Sequence, residues 1–269
     1  MWAGALLTLG LLGTVPDLTP APAVRCDAKE LVFGTERTRL TCTVQLEGAK
    51  TIHASANVGR LHPAGPAANG VQKFVYEAPQ EKLPRMAMLA FWRDPADGKP
   101  PEPEVVRVRL LGRQTLTVST RPGARVEIAI GRRRFGPVTA PADGQAQVPV
   151  EIPHDAGKAK VTAALGGQVV ESEIPLDVPA SNPLHAILLP ETLDHGQTGL
   201  LWVVHADRLP GRQLEFAHKG LVFKRLRFER QRGLFQLTVR EDAPHDTYLE
   251  VRLADAPEAR FRFDALLAD

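Results

Sequence analysis

The residues able to do chemistry in this 269-residue chain begin with eight histidines: His53, His62, His154, His185, His195, His205, His218 and His245. Imidazole suits proton transfer near neutral pH and zinc ligation. A zinc site on a helix needs two such rings one turn apart, and no pair has that spacing. Oxygen donors for calcium gather in Asp94, Asp97, Glu102 and Glu104. They lack an Asp-x-Asp spacing and Lys99 interrupts them, so a solvated loop is the expectation. The serines named for nucleophilic work are Ser55, Ser119, Ser172 and Ser181. None sits in Gly-x-Ser-x-Gly, and no Cys–His arrangement accompanies them. Gly166-Gly167 reads as a hairpin turn, not a phosphate loop. The loops are rich in Pro, Gly and Ala, which shape turns and titrate nowhere near neutrality. The chain is therefore read as no enzyme, with no metal and no cofactor. No deep pocket lined by two or more His, Asp or Glu side chains within hydrogen-bonding reach of one another is expected.

Two basic clusters remain. Arg132, Arg133 and Arg134 precede Phe135, and Lys224, Arg225 and Arg227 alternate with Leu226 and Phe228. Such residues can grip an anionic polysaccharide or a phosphate-bearing lipid. The plainer reading, which is favoured, is a strand whose charged side is wet and discourages edge-to-edge aggregation.

The elements that would carry these residues are strands. Leu40, Cys42, Val44 and Leu46 fall on one face, and Thr41, Thr43 and Gln45 on the other, the period of a half-buried strand. Val126, Ile128 and Ile130 repeat the pattern, as do Val148, Val150 and Ile152, with the tight-turn pair Asp143-Gly144 between them. Phe235, Leu237 and Val239 continue it, followed by Leu249, Val251 and Leu253 and then Phe261 and Phe263. Met86 to Trp92 is apolar on both faces, which marks a central strand. No sustained amphipathic helix occurs. Short strands between turn signals predict an all-β chain of tandem immunoglobulin-like antiparallel β-sandwich domains, over 24–112, 113–180 and 183–269. The stretch Val178 to Pro183 reads as a linker.

Composition agrees. Hydrophobic residues make up 43% and aromatics only 6%, so the cores must be Val, Leu, Ile and Ala, while 23 prolines and 22 glycines imply frequent reversals. A net charge of +2 is too small to imply nucleic acid. Ala3 to Val15 is uncharged and apolar but only about 13 residues long, where a bilayer span takes about 20. Ala21-Pro22-Ala23 has the small-x-small form of a signal peptidase site, so residues 1–23 are read as a cleaved signal peptide, an uncleaved anchor or a mis-assigned start being the alternatives. No later segment is long and apolar enough to span a membrane. Cys26 and Cys42 lie just past the cut. In an exported chain they form one disulfide, and in a cytosolic one they are two buried thiols.

Ala54-Ser55-Ala56-Asn57-Val58-Gly59 and Phe74-Val75-Tyr76-Glu77-Ala78-Pro79 resemble the bacterial immunoglobulin-like domains of the invasin and intimin type, over roughly residues 26–112. Pro122-Gly123-Ala124-Arg125-Val126-Glu127-Ile128 is similar to small surface β-domains in which a Pro-Gly-Ala turn feeds a strand. The resemblance implies a non-catalytic exported structural or interaction protein of the bacterial cell envelope, periplasmic or at the surface. It would serve as an adhesive, spacer or assembly module whose partners are other envelope or surface proteins. The alternative is a carbohydrate- or glycan-binding module that uses Trp92, Trp202 and the basic strands. What separates the two is whether those tryptophans lie on an exposed concave face or in a core.

Overall fold

The computed structural model describes residues 16–95, 99–207, 214–264 and 266–267. Ala3 to Val15 and Asp97 lie outside them. Among the described residues there is no helix, so none is long and apolar enough to cross a membrane.

In the first block the strands are β1 (Val24–Cys26), β2 (Glu30–Val32), β3 (Arg39–Gln45), β4 (Ile52–Ala56), β5 (Arg60–Pro63), β6 (Val71–Glu77), β7 (Arg85–Arg93) and β8 (Glu104–Ser119). One sheet runs β1-β3-β6-β5. It faces β4, β7 and β8 across a core of Leu40, Cys42, Val44, Phe74 and Tyr76 against Leu89, Phe91, Val108 and Leu110. The parity read for Leu40, Cys42 and Val44 is the observed one: each is at most 1% exposed. Cys26 and Cys42 stand opposite each other in the β1–β3 register and are bonded as a disulfide. Closing a loop of this size stabilises the fold by about 3 kcal/mol in the chain-entropy view. The pairing is antiparallel with one departure among the named strands. β2 runs parallel to β8, placing Leu31 beside Leu110, because the turn after Cys26 brings the chain back alongside β8 instead of closing a hairpin.

The second block adds β9 (Arg125–Ile130), β10 (Arg133–Thr139), β11 (Gln145–Ile152), β12 (Lys158–Leu165) and β13 (Gln168–Pro175). Its first sheet is β10-β9-β12-β13. Its second is β11 paired with the far half of β8, Ile152 opposite Gly112 and Gln145 opposite Ser119. β8 thus crosses Gly112 without a break and serves two sandwiches. The Asp143-Gly144 turn ends in a glycine at φ +74° whose added Cβ would lie 2.4 Å from the Thr120 carbonyl oxygen, so the turn excludes any side chain there.

The third block contains β14 (Leu184–Leu189), β15 (Thr198–His205), β16 (Leu214–His218), β17 (Leu221–Phe228), β18 (Arg232–Val239), β19 (Leu249–Leu253) and β20 (Arg260–Phe263). The sheets β14-β15-β18-β17 and β16-β19-β20 enclose Leu201, Val203, Phe235, Leu237, Leu249 and Val251. The fold is all-β, built of immunoglobulin-like sandwiches in tandem.

Candidate functional site

A strand that shows apolar side chains on both faces needs a second apolar layer beyond its own core. On β7, Ala87, Leu89 and Phe91 fill the first core, while Met86, Met88, Ala90 and Trp92 point the other way. β14 and β15 have the same double character. Leu188, Leu201 and Val203 enter the third core, and Ile187, Leu189, Leu200, Trp202 and Val204 leave it. These outward sets meet one another. The third block is folded back on the first, sheet against sheet, along a dry seam.

Polar groups close the seam. Arg107 donates from Nε to the Ala206 carbonyl at 3.0 Å and from Nη2 to that of His205 at 3.0 Å. Glu102 pairs with Arg227 at 3.0 Å and Arg232 at 2.8 Å. Both guanidinium groups lie 5.3 Å from the centre of the fully buried Trp202 ring, an arrangement its π-face favours. Ser55 Oγ and His185 Nε2 bond at 3.0 Å from opposite sides. Burial pushes the His185 imidazole down to about 4. This Ser–His pair is no nucleophile and base. His185 is 1% exposed, Phe261 packs edge-on against its ring, and its Nδ1 has no partner among the described residues, so no carboxylate orients the imidazole.

At one end the seam opens into a cleft of about 710 Å³. Pro100, Pro101, Leu189, Leu200 and Trp92 give it apolar walls; Thr198 and Gln236 supply polar ones. On its rim His53 Nε2 meets Asp94 Oδ1 at 2.7 Å. The hydrogen bond from His53 holds the Asp94 carboxyl below the usual carboxylate range, aided by hydrogen bonds from Thr51. The expectation concerned a deep pocket; on this open rim a histidine and an aspartate do come within hydrogen-bonding reach of each other. His53 lies opposite Trp92 in the β4–β7 register, so Asp94, two residues further along, arrives beside it. The two stand 41 positions apart in the chain, and only the strand pairing joins them. The pair is open, with side chains 42% and 40% exposed, and among the described residues no serine, threonine or cysteine is hydrogen-bonded to the imidazole. It can orient a polar group on a ligand. It lacks the water exclusion and the third group that proton-transfer chemistry at this site would need.

Of the residues named from sequence, Arg133 bridges Glu30 at 2.5 Å and Glu151 at 2.6 Å. Arg134 pairs with Glu127, and Arg227 with Glu102 and Glu229. Arg132, Lys224 and Arg225 make no ion pair among the described residues. The two clusters lie on different sandwiches and the fold does not join them. The carboxylates do not gather around one point: Asp94 turns to His53, while Glu102 pairs with the two arginines and Glu104 lies near it and Arg232. No group of three or more metal-ligating side chains occurs among the described residues. Trp92 is 4% exposed and Trp202 fully buried. By the discriminating feature set out from the sequence, neither ring is available to stack on a sugar. Sequence reading named His185 without a partner and gave Arg107 and Arg232 no place in a seam. Their one signal was the unbroken apolar runs of β14 and β15, the same signal that was noticed at Met86 to Trp92.

No family model matches the chain, and no curated protein matches it. Among solved structures it is similar to the Escherichia coli adhesin FdeC, at 11% identity over 95% of this chain and 100% of that one, with a TM-score of 0.26. It is similar to the Yersinia pseudotuberculosis adhesin InvE, at 9% identity over 92% of this chain and 59% of that one, TM-score 0.26. Yersinia pseudotuberculosis InvD aligns at 12% identity over 92% and 86%, TM-score 0.26. At these values the likeness says nothing of what the chain binds.

Proposed function

We propose that the protein is a non-catalytic, exported interaction module of the bacterial cell envelope, an assembly platform more than a spacer. The back-folded seam carries this reading. A spacer gains reach from sandwiches laid end to end. Here the apolar faces of β7, β14 and β15 are spent on holding the third block against the first, which costs length and supplies a fixed surface with an apolar cleft. The disulfide suits an oxidising compartment, in keeping with removal of residues 1–23 as a leader. We further propose that each of the spans 24–112, 113–180 and 183–269 is one sandwich module. Arg132, Lys224 and Arg225 are the named basic residues left to meet an anionic group on a partner.

The test is recovery of the tagged protein from its native host. The chain should begin at Val24, and one envelope protein should co-purify in fixed ratio with the wild type but not with Thr198→Trp, which fills the cleft. A partner retained by the filled cleft, or none in fixed ratio, rejects the reading.

A further inference from the structure

The segment just before the expected cut at Ala23 is built into the seam. Thr19 runs parallel to the stretch from Lys99 to Glu102: its N–H donates to the Pro100 carbonyl at 2.9 Å, and its carbonyl accepts from the Glu102 N–H at 3.0 Å. Thr19 Oγ1 donates to the Lys99 carbonyl at 3.2 Å. Asp17 pairs with Lys99 at 2.6 Å. Leu18 packs into the seam cluster that holds Trp92 and Trp202. Arg93 Nη1 donates to the Pro20 carbonyl at 3.4 Å. That arginine side chain is 8% exposed, and its Nε has no partner among the described residues. Pro16 stands at the mouth of the cleft.

A cut after Ala23 strips all of this away. It leaves an extended stretch with the Glu102 N–H and the Pro100 C=O open, an apolar socket that a half-buried leucine had filled, and a buried guanidinium that keeps Glu47 at 2.6 Å but loses its Pro20 acceptor. Open backbone groups beside a side-chain socket can take up extended peptides, the main-chain bonds giving affinity and the socket selectivity.

We propose that the processed protein uses this groove to bind an extended segment of a partner protein, one with an acidic residue followed by leucine and a small hydroxyl residue, the pattern of Asp17-Leu18-Thr19. In the unprocessed chain the leader's own end fills the groove, so binding begins only after export. The inference rests on the export reading.

The experiment uses protein recovered from the host and a synthetic peptide of the sequence Pro16 to Ala23. Tryptophan emission is the readout, since the processed chain retains only Trp92 and Trp202. The peptide should bind saturably. Its Leu18→Ala version should bind about tenfold more weakly, from the loss of a half-buried leucine side chain. Lys99→Glu protein should bind several-fold more weakly while its thermal midpoint stays unchanged. Processed protein beginning at Val24 that ignores the peptide at about 1 mM, or binds the Leu18→Ala peptide equally well, overturns the groove and leaves the export reading intact. Recovered protein that still begins upstream of Asp17 overturns the export reading, and this inference with it.

Discussion

β14 and β13 are strands of similar length in sandwiches of the same kind, yet β14 buries all six of its side chains and β13 buries none completely. β14 lies between two apolar layers, the third core and the seam. β13 is the outer strand of its sheet, paired only with β12. Its Glu171 and Glu173 are matched by Lys160 and Lys158 across the hairpin, while Val169 and Val170 stand 61% and 66% exposed. Both are outer strands of their sheets, but their sequences already differ, LHAILL against QVVESEIP. What also differs is what occupies the far face, and that sets the energetics. A fully buried Leu or Ile contributes about 1.5–3 kcal/mol relative to an exposed one, whereas exposed ion pairs of the hairpin type contribute about 0–1 kcal/mol. Charges along β13 also keep the edge from pairing with other chains.

The largest effect expected from this contrast is at Trp202. Trp202→Ala removes the buried ring that both arginines lie against and should cost about 3–5 kcal/mol, measured by urea unfolding. A loss below about 1 kcal/mol would mean the seam does not hold the blocks together. Next comes the disulfide, on the sheet of the first block that faces away from the seam. Replacing Cys26 and Cys42 together by alanine should cost about 3 kcal/mol, with the seam intact as judged by unchanged tryptophan emission. A change in emission would show that the two sheets of that block are coupled more tightly than their separation suggests.

The seam should also respond to acid in a way the second block does not. The folded-state pKa of His185 is about 4 against an ordinary 6.5, so the unfolded chain takes up the proton first as pH falls. Stability from this group is complete above 6.5, declines between 6.5 and 4, and falls no further below that. The total is about 3 kcal/mol. The difference between wild type and His185→Gln, which keeps a hydrogen bond to Ser55 and does not titrate, should trace that window in unfolding midpoints. Parallel curves would mean the ring is hydrated. At the small end, Val170→Thr on the exposed hairpin should change stability by less than about 0.5 kcal/mol. A larger loss would show that the hairpin is covered in solution.

How much of this was legible is clearest strand by strand. Leu40, Cys42 and Val44 revealed their inward face because a half-wet strand alternates, and alternation is local. Gly166-Gly167 revealed its hairpin because both residues sit at positive φ, +56° and +81°, which glycine permits. Cys26 and Cys42 revealed their bond through their number and their place after a leader-like segment. The both-face apolar run from Met86 to Trp92 announced a second layer but not its source, since a buried sheet within one domain and a seam between two blocks demand the same residues. The exposed tryptophans expected for sugar binding are buried for the same reason. An aromatic residue carries no mark of which apolar surface will come to cover it.

Alternation, turn residues and cysteine placement act over a few positions of chain, so the sequence alone determined the all-β class, the core faces and the disulfide. His53 and Asp94 stand 41 positions apart, Arg227 and Arg232 reach Trp202 from the next two strands of its own sheet, and Leu18 lodges in the seam between two blocks. Only the tertiary structure decided those: strand pairing sets the first two, and the third follows from the folding back of the third block, driven by non-directional apolar burial, which specifies that a face be covered and leaves the covering partner to the shape of the whole chain.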